Sequence, residues 1–241
     1  MDGVDELWPQ GPRLCREAGF KLCTDSVLLA DFINMKKVVK AADLGCGAGI
    51  LAVLSAFRNK NTNFDCIEIA EENVRDCLSN IRINGLEDRM SVTAGDLREI
   101  KKYFSAGAYD LVMSNPPYNP QGCGKEARGE NRAASRDERF CTIFDLSAAA
   151  AYLCRYGAGF CMVHKPQRLS EIFGALTTHG FEPKRLRLVC PRPGAEANLA
   201  LIDARRGGKP GLRVEAPLFL YGADGAETEE YKNILSGGGA I

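Results

Sequence analysis

The tetrapeptide Asn115-Pro116-Pro117-Tyr118 carries the groups best suited to chemistry on a flat amino group. An Asn amide oxygen and a carbonyl beside proline accept hydrogen bonds from a planar NH2, and a Tyr ring offers a stacking surface. The mostly apolar run before it, residues 109–114, predicts a buried parallel strand that the two prolines must end. Open α/β sheets place their binding crevices at such carboxyl ends. The alternative is a plain strand and turn ended by proline, which the combination of residue types disfavours.

A glycine-rich turn follows the first predicted strand. Residues 38–44 lead into Gly45-Cys46-Gly47-Ala48-Gly49, and apolar residues at helical spacing come next. Glycines let a backbone approach a ligand closely, and the amino end of the helix favours negative charge. The Gly-x-Gly-x-Gly spacing differs from the Gly-x-Gly-x-x-Gly of dinucleotide-binding folds, which disfavours a nicotinamide oxidoreductase.

Two more predicted strands finish in acids. Residues 63–69 contain Glu68, roughly 20 positions after the first glycine, where a carboxylate can accept both hydroxyl protons of a ribose. Residues 90–96 end at Asp96. The alternatives are a solvated Glu68 at a strand end and an Asp96 that caps the helix expected to begin near Leu97.

The three strand tips and Asn115-Pro116-Pro117-Tyr118, in this order, resemble the small-domain class I methyltransferases, which use S-adenosylmethionine to methylate nitrogen. From about Phe20 onward the chain is most similar to the bacterial tRNA-valine adenine-N6 methyltransferases. That nearer resemblance rests on residues 130–138 (ENRAASRDE), on 216–221 (APLFLY) and on 227–231 (ETEEY). Ser-Arg-Asp-Glu replaces the family's usual Ala-Arg-His-Glu, and Asn119-Pro120 replaces a second aromatic. Both departures concern the substrate more than the cofactor.

The resemblance implies a site without metal. The segment around Thr24 and Asp25, by pattern a capped docking helix, would cover the cofactor, and Asp96 would meet the adenine amino group. The implied catalytic residues are Asn115, Pro116, Pro117 and Tyr118. The implied cofactor-binding residues are Thr24, Asp25, Asp43, Gly45, Gly47, Gly49, Glu68, Ile69, Asp96, Leu97 and Asn115.

The expected reaction is methyl transfer to the exocyclic N6 of an adenine in tRNA. The Asn115 side-chain oxygen and the Pro116 carbonyl would accept the two amino protons, and Tyr118 would stack on the extruded base. A protein glutamine N5-methyltransferase is the nearest rival, but such enzymes carry a helical domain before the glycine turn. Other RNA or DNA amino methylation, and an inactive module that binds S-adenosylmethionine or RNA, remain open.

The fold expected from the resemblance is a Rossmann-like α/β sheet of seven mostly parallel strands. Their order would be 3-2-1-4-5-7-6, with one strand antiparallel and helices on both faces. We expect a cofactor-covering segment at 1–37, the methyltransferase domain at 38–206, and an extension of that domain at 207–241. Predicted helices at 143–156 and 169–178 flank a fifth strand at 159–164. The sixth and seventh strands are expected at 183–190 and 198–204.

Charge gives no overall basic field, because 31 Lys and Arg residues balance 31 Asp and Glu residues. Lys125, Arg128, Arg132, Arg136 and Arg139 would share one helix face, either as a phosphate-binding rim for tRNA or as a solvated helix. The carboxyl half adds further basic residues that could hold tRNA phosphates. These are Lys184, Arg185, Arg187, Arg192, Arg205, Arg206, Lys209 and Arg213.

The ten cysteines are scattered without a Cys-x-x-Cys pair, and several lie in apolar runs, so we expect reduced thiols. The start of the chain is acidic where a signal peptide would be basic. No apolar run approaches the ~20 residues of a membrane span. These features favour a cytoplasmic protein.

Overall fold

The computed structural model describes residues 4–15, 24–118 and 141–238 of the 241-residue chain. The basic segment that contains Lys125, Arg128, Arg132 and Arg136 lies outside the described residues, as does Phe20. Within the described ranges, no helix combines the length and apolar character needed to cross a bilayer.

A nine-stranded sheet forms the centre of the fold, and a two-stranded hairpin of β1 and β2 lies beside it. The strands are β1 Val4–Glu6, β2 Arg13–Cys15, β3 Lys40–Leu44, β4 Asn63–Glu68, β5 Met90–Ala94, β6 Tyr109–Ser114, β7 Cys154–His164, β8 Phe181–Cys190, β9 Leu199–Arg206, β10 Arg213–Val214 and β11 Leu218–Phe219.

The strand order confirms the expected topology. From one edge to the other the sheet runs β10, β8, β9, β7, β6, β3, β4, β5. Counted from β3, the seven main strands therefore have the order 3-2-1-4-5-7-6. Strand β9 is antiparallel to both β7 and β8, and the other main pairs are parallel. The short strands β10 and β11 extend the β8 edge and were not expected from the sequence.

Helices cover both faces of the sheet. They are α1 Thr24–Phe32, α2 Ile50–Arg58, α3 Glu71–Ile83, α4 Ile143–Leu153, α5 Leu169–Thr178 and α6 Glu229–Leu235, with 3-10 turns at Leu97–Lys102 and Pro166–Arg168. Strand residues alternate between the faces: Ala41 and Cys66 pack in the core under α1, α2, α3 and α6, while Ala42 and Ile67 pack under α4 and α5. Each face thus buries its own apolar layer.

Helix α1 departs from the one-sided pattern expected of a docking helix. Its residues from Ser26 to Ala30, and Phe32, are all buried. The helix contacts α2, α6 and strands β7 and β9, so neighbours surround it on several sides. A helix that is apolar nearly all round is typical of such an enclosed position.

Several element boundaries differ from those that the sequence predicted. Helix α4 ends at Leu153 and not at Tyr156, because β7 begins at once with Cys154. Strand β7 is longer than predicted, since Cys154 pairs with Tyr109 before a register shift restores regular pairing at Gly159. The predicted sixth and seventh strands each gain two residues at the end remote from the tetrapeptide, and the seventh begins one residue later than predicted.

The first and last described segments of the chain meet. Asn80 of α3 and Asn84, the residue after that helix, hold β2 through hydrogen bonds to the backbone of Arg13 and Cys15. In the turn between β1 and β2, the Trp8 ring packs on Gly237 so closely that a Cβ there would lie 2.5 Å from it.

Asp65 connects four neighbouring strands, β3, β4, β5 and β6, near their amino-terminal ends. Its carboxylate accepts hydrogen bonds from Tyr109 at 2.8 Å and Ser91 at 2.8 Å, and it pairs with Lys40 at 3.0 Å. Partial burial alone would raise the pKa of Asp65, but the bonds from Lys40, Tyr109 and Ser91 outweigh it and lower the pKa.

We expect Asp65→Asn to reduce the free energy of unfolding at neutral pH by about 1–3 kcal/mol, since it removes a hydrogen-bonded charge. Because the folded pKa is depressed, this stabilisation is present above the unfolded Asp pKa of about 3.9 and is lost as the pH falls through the folded value. Urea unfolding of both proteins at neutral pH and near pH 3 would measure it. An equal difference at the two pH values would contradict this account.

Candidate active site

The carboxyl ends of β3, β4, β6 and β7 meet at one edge of the sheet, and the tetrapeptide begins there. The Ser114 hydroxyl, the last side chain of β6, donates a 2.7 Å hydrogen bond to the carbonyl of Leu44 at the end of β3. This buried bond sets the end of β6 against the start of the glycine turn. Asn115 therefore leaves the sheet beside Gly45.

The Asn115 amide is held at both ends. Its Nδ2 donates to Ser26 Oγ at 3.0 Å, and its Oδ1 accepts from the Tyr118 hydroxyl at 2.9 Å. Both partners are hydroxyl groups, which can donate as well as accept, and the Tyr118 hydroxyl has one proton for both Asn115 Oδ1 and Asp25 Oδ2. An amide oxygen has two lone pairs and can accept more than one hydrogen bond.

Tyr118 anchors the end of the tetrapeptide to α1 and β7. Its hydroxyl lies 2.5 Å from Asp25 Oδ2, and its ring packs edge-on against His164 with centroids 5.2 Å apart. The Lys165 ammonium lies 5.0 Å from the Tyr118 ring centroid. The ring is thus positioned by three different elements.

His164, the last residue of β7, is fully buried beneath Tyr118. Its Nδ1 accepts a 2.7 Å hydrogen bond from the Lys165 backbone N–H, so the neutral ring carries its proton on Nε2. Burial lowers the pKa of His164 to about 4, and the nearby Arg168 charge adds to the effect. His164 is therefore a neutral imidazole at physiological pH.

The glycine turn leaves open space on its outer side. Gly45, Gly47 and Gly49 have φ values of 67°, 55° and 76°, a region that favours glycine. A Cβ added to Gly45 or Gly47 would meet nothing within 4 Å, whereas one at Gly49 would lie 2.5 Å from the Cys77 sulfur. The first two glycines thus border the crevice, and the third faces the core.

Glu68 connects the glycine turn to the end of β4. One carboxylate oxygen accepts from the Gly47 N–H at 2.8 Å, and the other accepts from the Ala70 N–H at 2.9 Å. The side chain is buried. The alternative of a solvated glutamate is therefore wrong, and Glu68 belongs to the architecture of the turn.

No hydrogen bond of ordinary geometry reaches the buried Asp43 carboxyl within the described part of the chain, although the Ala52 backbone N–H lies close enough to lower its pKa in part. Burial, with Cys77 adding to it, raises the pKa of Asp43 well above its usual range. Its strand position, two residues before Gly45, places it beneath the turn. An unpaired buried carboxyl is costly unless a ligand group meets it.

Asp96 caps the 3-10 turn that follows β5, the alternative that the sequence left open. Its carboxylate accepts from the Arg98 backbone N–H at 2.9 Å and forms a two-pronged pair with the Arg98 guanidinium. The pair lowers the pKa of Asp96, although partial burial opposes the shift. The expected contact of Asp96 with adenine, and the expected cofactor contacts of Ile69 and Leu97, stay predictions.

Thr24 and Asp25 begin α1, and both reach other elements. Asp25 meets Tyr118, and Thr24 is hydrogen-bonded with Tyr231 of α6. The sequence did not single out Ser26 or Lys165, because nothing in the local pattern shows that they approach a tetrapeptide so far away in the chain. The adjacency of Ser26 to Thr24 and Asp25 was the one available signal.

Some basic residues of the carboxyl half lie at the ends of the strands that are remote from the tetrapeptide. Arg205 and Arg206 end the antiparallel strand β9 at the edge remote from the tetrapeptide, where they bond to the carbonyls of Gly157 and Ala151. Lys184 bonds to the Lys209 carbonyl in the same region. Their placement removes them from the crevice.

Three other arginines are held by acids at the β8 edge. Arg185 pairs with Glu215 at 2.8 Å and Arg213 with the same carboxylate at 2.7 Å, while Arg187 pairs with Glu230 at 2.6 Å. Arg192 follows the carboxyl end of β8, at the same edge of the sheet as the tetrapeptide.

Comparison with known proteins relates the chain to methyltransferases. Residues 21–127, somewhat less than half of the chain, match the model of the methyltransferase small domain. The chain is similar to small-domain methyltransferases. It is 28% identical over 219 residues to the tRNA1(Val) (adenine(37)-N6)-methyltransferase of Photorhabdus laumondii, covering 90% of this chain and 87% of that protein. A protein of the same description from Tolumonas auensis is 28% identical, with 88% and 86% covered.

A solved structure from Agrobacterium tumefaciens, described as a predicted O-methyltransferase, shares the fold of this methyltransferase. It superposes with a TM-score of 0.72 at 22% identity and covers 90% of this chain and 98% of its own. At that identity the likeness concerns the fold alone. The sequence-based assignment to methyltransferases of the small-domain class is thus confirmed.

Because His164 is buried in its neutral form, we expect the free energy of unfolding of the protein to fall at acidic pH. Because its folded pKa is depressed, the unfolded chain binds the extra proton first: stability is complete above about pH 6.5 and falls as the pH drops toward the folded pKa of about 4. His164→Asn retains an acceptor for the Lys165 N–H but does not titrate in this window. Between those pH values, the free energy of unfolding measured in urea should fall less for this variant than for the wild type. We expect the difference between the two falls to be up to about 3 kcal/mol. Parallel stability curves for the two proteins would rule this out.

Proposed function

We propose that this methyltransferase uses S-adenosylmethionine to methylate the exocyclic N6 of an adenine in tRNA. The observation that carries the proposal is the Asn115 amide, fixed by Ser26 and Tyr118 at the edge of the sheet where the glycine turn leaves open space. The alignments with the relatives cover nearly the full chain. The names of these relatives support adenine in tRNA over a protein glutamine as the methyl acceptor.

The residues around the glycine turn fit S-adenosylmethionine. Gly45 and Gly47 present bare backbone to an open space, and the buried Asp43 carboxyl has acceptor atoms without a partner among the described residues. The amino group of a methionine moiety is a donor of the kind that Asp43 lacks. When bound, this cofactor supplies an electrophilic methyl group on a sulfonium.

Glu68 would bind the ribose hydroxyls with the acceptor capacity that its two backbone bonds leave free. Those bonds, to Gly47 and Ala70, fix the carboxylate in one orientation before a ligand arrives. Ile69, Asp96 and Leu97 follow the neighbouring strand tips and would border the adenine. Asp25, through Tyr118, would close the crevice from the α1 side.

In this proposal the site accelerates the reaction mainly by orienting the amino group that receives the methyl. The lone pair of an adenine N6 is delocalised into the ring, so the nitrogen is a weak nucleophile. Asn115 Oδ1 and the Pro116 carbonyl would accept hydrogen bonds from its two N–H groups and favour the pyramidal form. The nitrogen would gain the methyl group, which leaves a neutral thioether behind, and would release one proton to solvent. Because Ser26 and Tyr118 already hold the amide, little reorganisation is required during the reaction.

Tyr118 would stack on the extruded adenine with the ring face that Lys165 does not cover. His164 supports the ring from below and, being neutral, does not compete as a proton donor in the manner of an imidazolium. For the RNA backbone, the proposal retains Arg192 and the basic segment at Lys125, Arg128, Arg132 and Arg136. The paired or remote basic residues of β8 and β9 are left out.

The substrate assignment is tested with labelled S-adenosylmethionine and total tRNA from a strain that lacks the gene. We expect label in tRNA and N6-methyladenosine as the modified nucleoside after digestion and mass analysis. Label in a protein fraction and none in tRNA would favour glutamine methylation. A folded protein that transfers no label and does not bind the cofactor in calorimetry would favour an inactive module.

Asn115→Ala should reduce kcat for tRNA by about 10²-fold or more, since it removes an acceptor that acts on the reacting amino group. S-adenosylmethionine affinity, measured by calorimetry, should fall much less than kcat, since Asn115 would be only one of several residues that contact the cofactor. Wild-type kcat in Asn115→Ala would overturn the mechanism.

Glu68→Gln is the matched variant for the cofactor side of the crevice. It replaces one carboxylate oxygen by an NH2 group, which cannot accept from the Gly47 or Ala70 N–H. We expect a loss of S-adenosylmethionine affinity of roughly tenfold or more, because one hydrogen bond to a charged group is worth about 1.5–3 kcal/mol. Unchanged affinity in calorimetry would remove Glu68 from the proposed cofactor site.

A further inference from the structure

Three cysteines that are distant in the sequence meet behind the glycine turn. Cys46 belongs to the turn, Cys66 lies on β4 and Cys77 lies on α3, and their sulfur atoms are all within 4.8 Å of one another. In the described part of the chain, no other group of three or more His, Cys, Asp or Glu side chains comes together in this way.

The local structure holds the sulfur of Cys77 against the turn. A Cβ at Gly49 would lie only 2.5 Å from that sulfur, so the glycine provides the room it occupies. One turn further along α3, Asn80 Nδ2 donates a 2.9 Å hydrogen bond to the Ala48 carbonyl and fixes the helix to the turn. The meeting point is therefore built by several contacts.

All three sulfur atoms are buried. Cys66 and Cys77 are fully buried residues, and although the Cys46 residue is partly exposed in the turn, its thiol is buried with the other two. The site is therefore dry, and an ion would enter it when the turn opens locally.

The sulfur spacing matches a metal site. Zinc bonds to thiolate sulfur at about 2.3 Å, which places the sulfurs of a tetrahedral site about 3.8 Å apart. Three sulfurs within 4.8 Å of one another reach that spacing through small side-chain shifts. A disulfide would join only two of the three and would leave the third thiol unexplained.

We propose that Cys46, Cys66 and Cys77 form a three-sulfur site for a thiophilic d10 cation of the zinc class. Each coordinating thiol releases its proton to solvent when the ion binds, and no electron is transferred. The bound ion would tie the glycine turn to β4 and α3 at once. The site takes no part in the proposed methyl transfer, so either proposal can fail without the other.

The test titrates the reduced, chelator-treated full chain with cadmium chloride and follows the thiolate-to-cadmium charge-transfer absorption. We expect saturation at one cadmium per chain. Cys46→Ser, Cys66→Ser and Cys77→Ser should each weaken binding by roughly tenfold or more. The matched control is Cys154→Ser, which alters a buried thiol on the other sheet face and should leave the affinity unchanged.

A second measurement needs no substitution and covers the case in which a core variant does not fold. The buried Cys46 thiol reacts with iodoacetamide when the turn opens locally, and zinc chloride should slow this alkylation in the wild-type protein by roughly tenfold or more. Cys141, a partly exposed residue outside the cluster, should react at the same rate with or without zinc. Equal alkylation of Cys46 in both conditions, or cadmium binding that survives all three cluster substitutions, would overturn the proposal.

Discussion

The site depends on a side-chain amide whose two ends are hydrogen-bonded before a substrate arrives. Asn115 cannot rotate without breaking its bond to Ser26 or its bond from Tyr118. Those partners belong to α1 and to the segment after β6, so the packing of α1 on the sheet sets the position of the amide. The position of Asn115 Oδ1 therefore depends on the burial of the whole of α1.

The sequence predicted the functional core of the fold because residue types at strand ends carry the signal. Glycines after β3, Glu68 after β4 and the prolines after β6 each stop a strand in a recognisable way, and the strand order followed from the resemblance. The strands β10 and β11 were missed because two residues are too short to show periodicity. The length of β7 was missed because Cys154 continues an apolar helix without a break signal.

Contacts between residues remote in the sequence set the limit of prediction at the site. Nothing local in Ser26 or Lys165 indicates Asn115 or Tyr118 as a neighbour, and only the folded chain brings them together. For the arginines of the carboxyl half, contacts within the fold oppose a role that the sequence suggested. The number of these arginines suggested possible contacts with tRNA phosphates, yet ion pairs with Glu215 and Glu230 use several of them within the fold. The three clustered thiols were hidden for the same reason, since they lie on separate elements.

The contact between Trp8 and Gly237 brings the two ends of the described chain side by side. Linking such ends and opening the polypeptide in an exposed loop elsewhere is the arrangement that circular permutation requires. The order in which the elements are synthesised is therefore separable from their order in space. A rearranged gene could encode the same crevice with Asn115 near the new amino terminus.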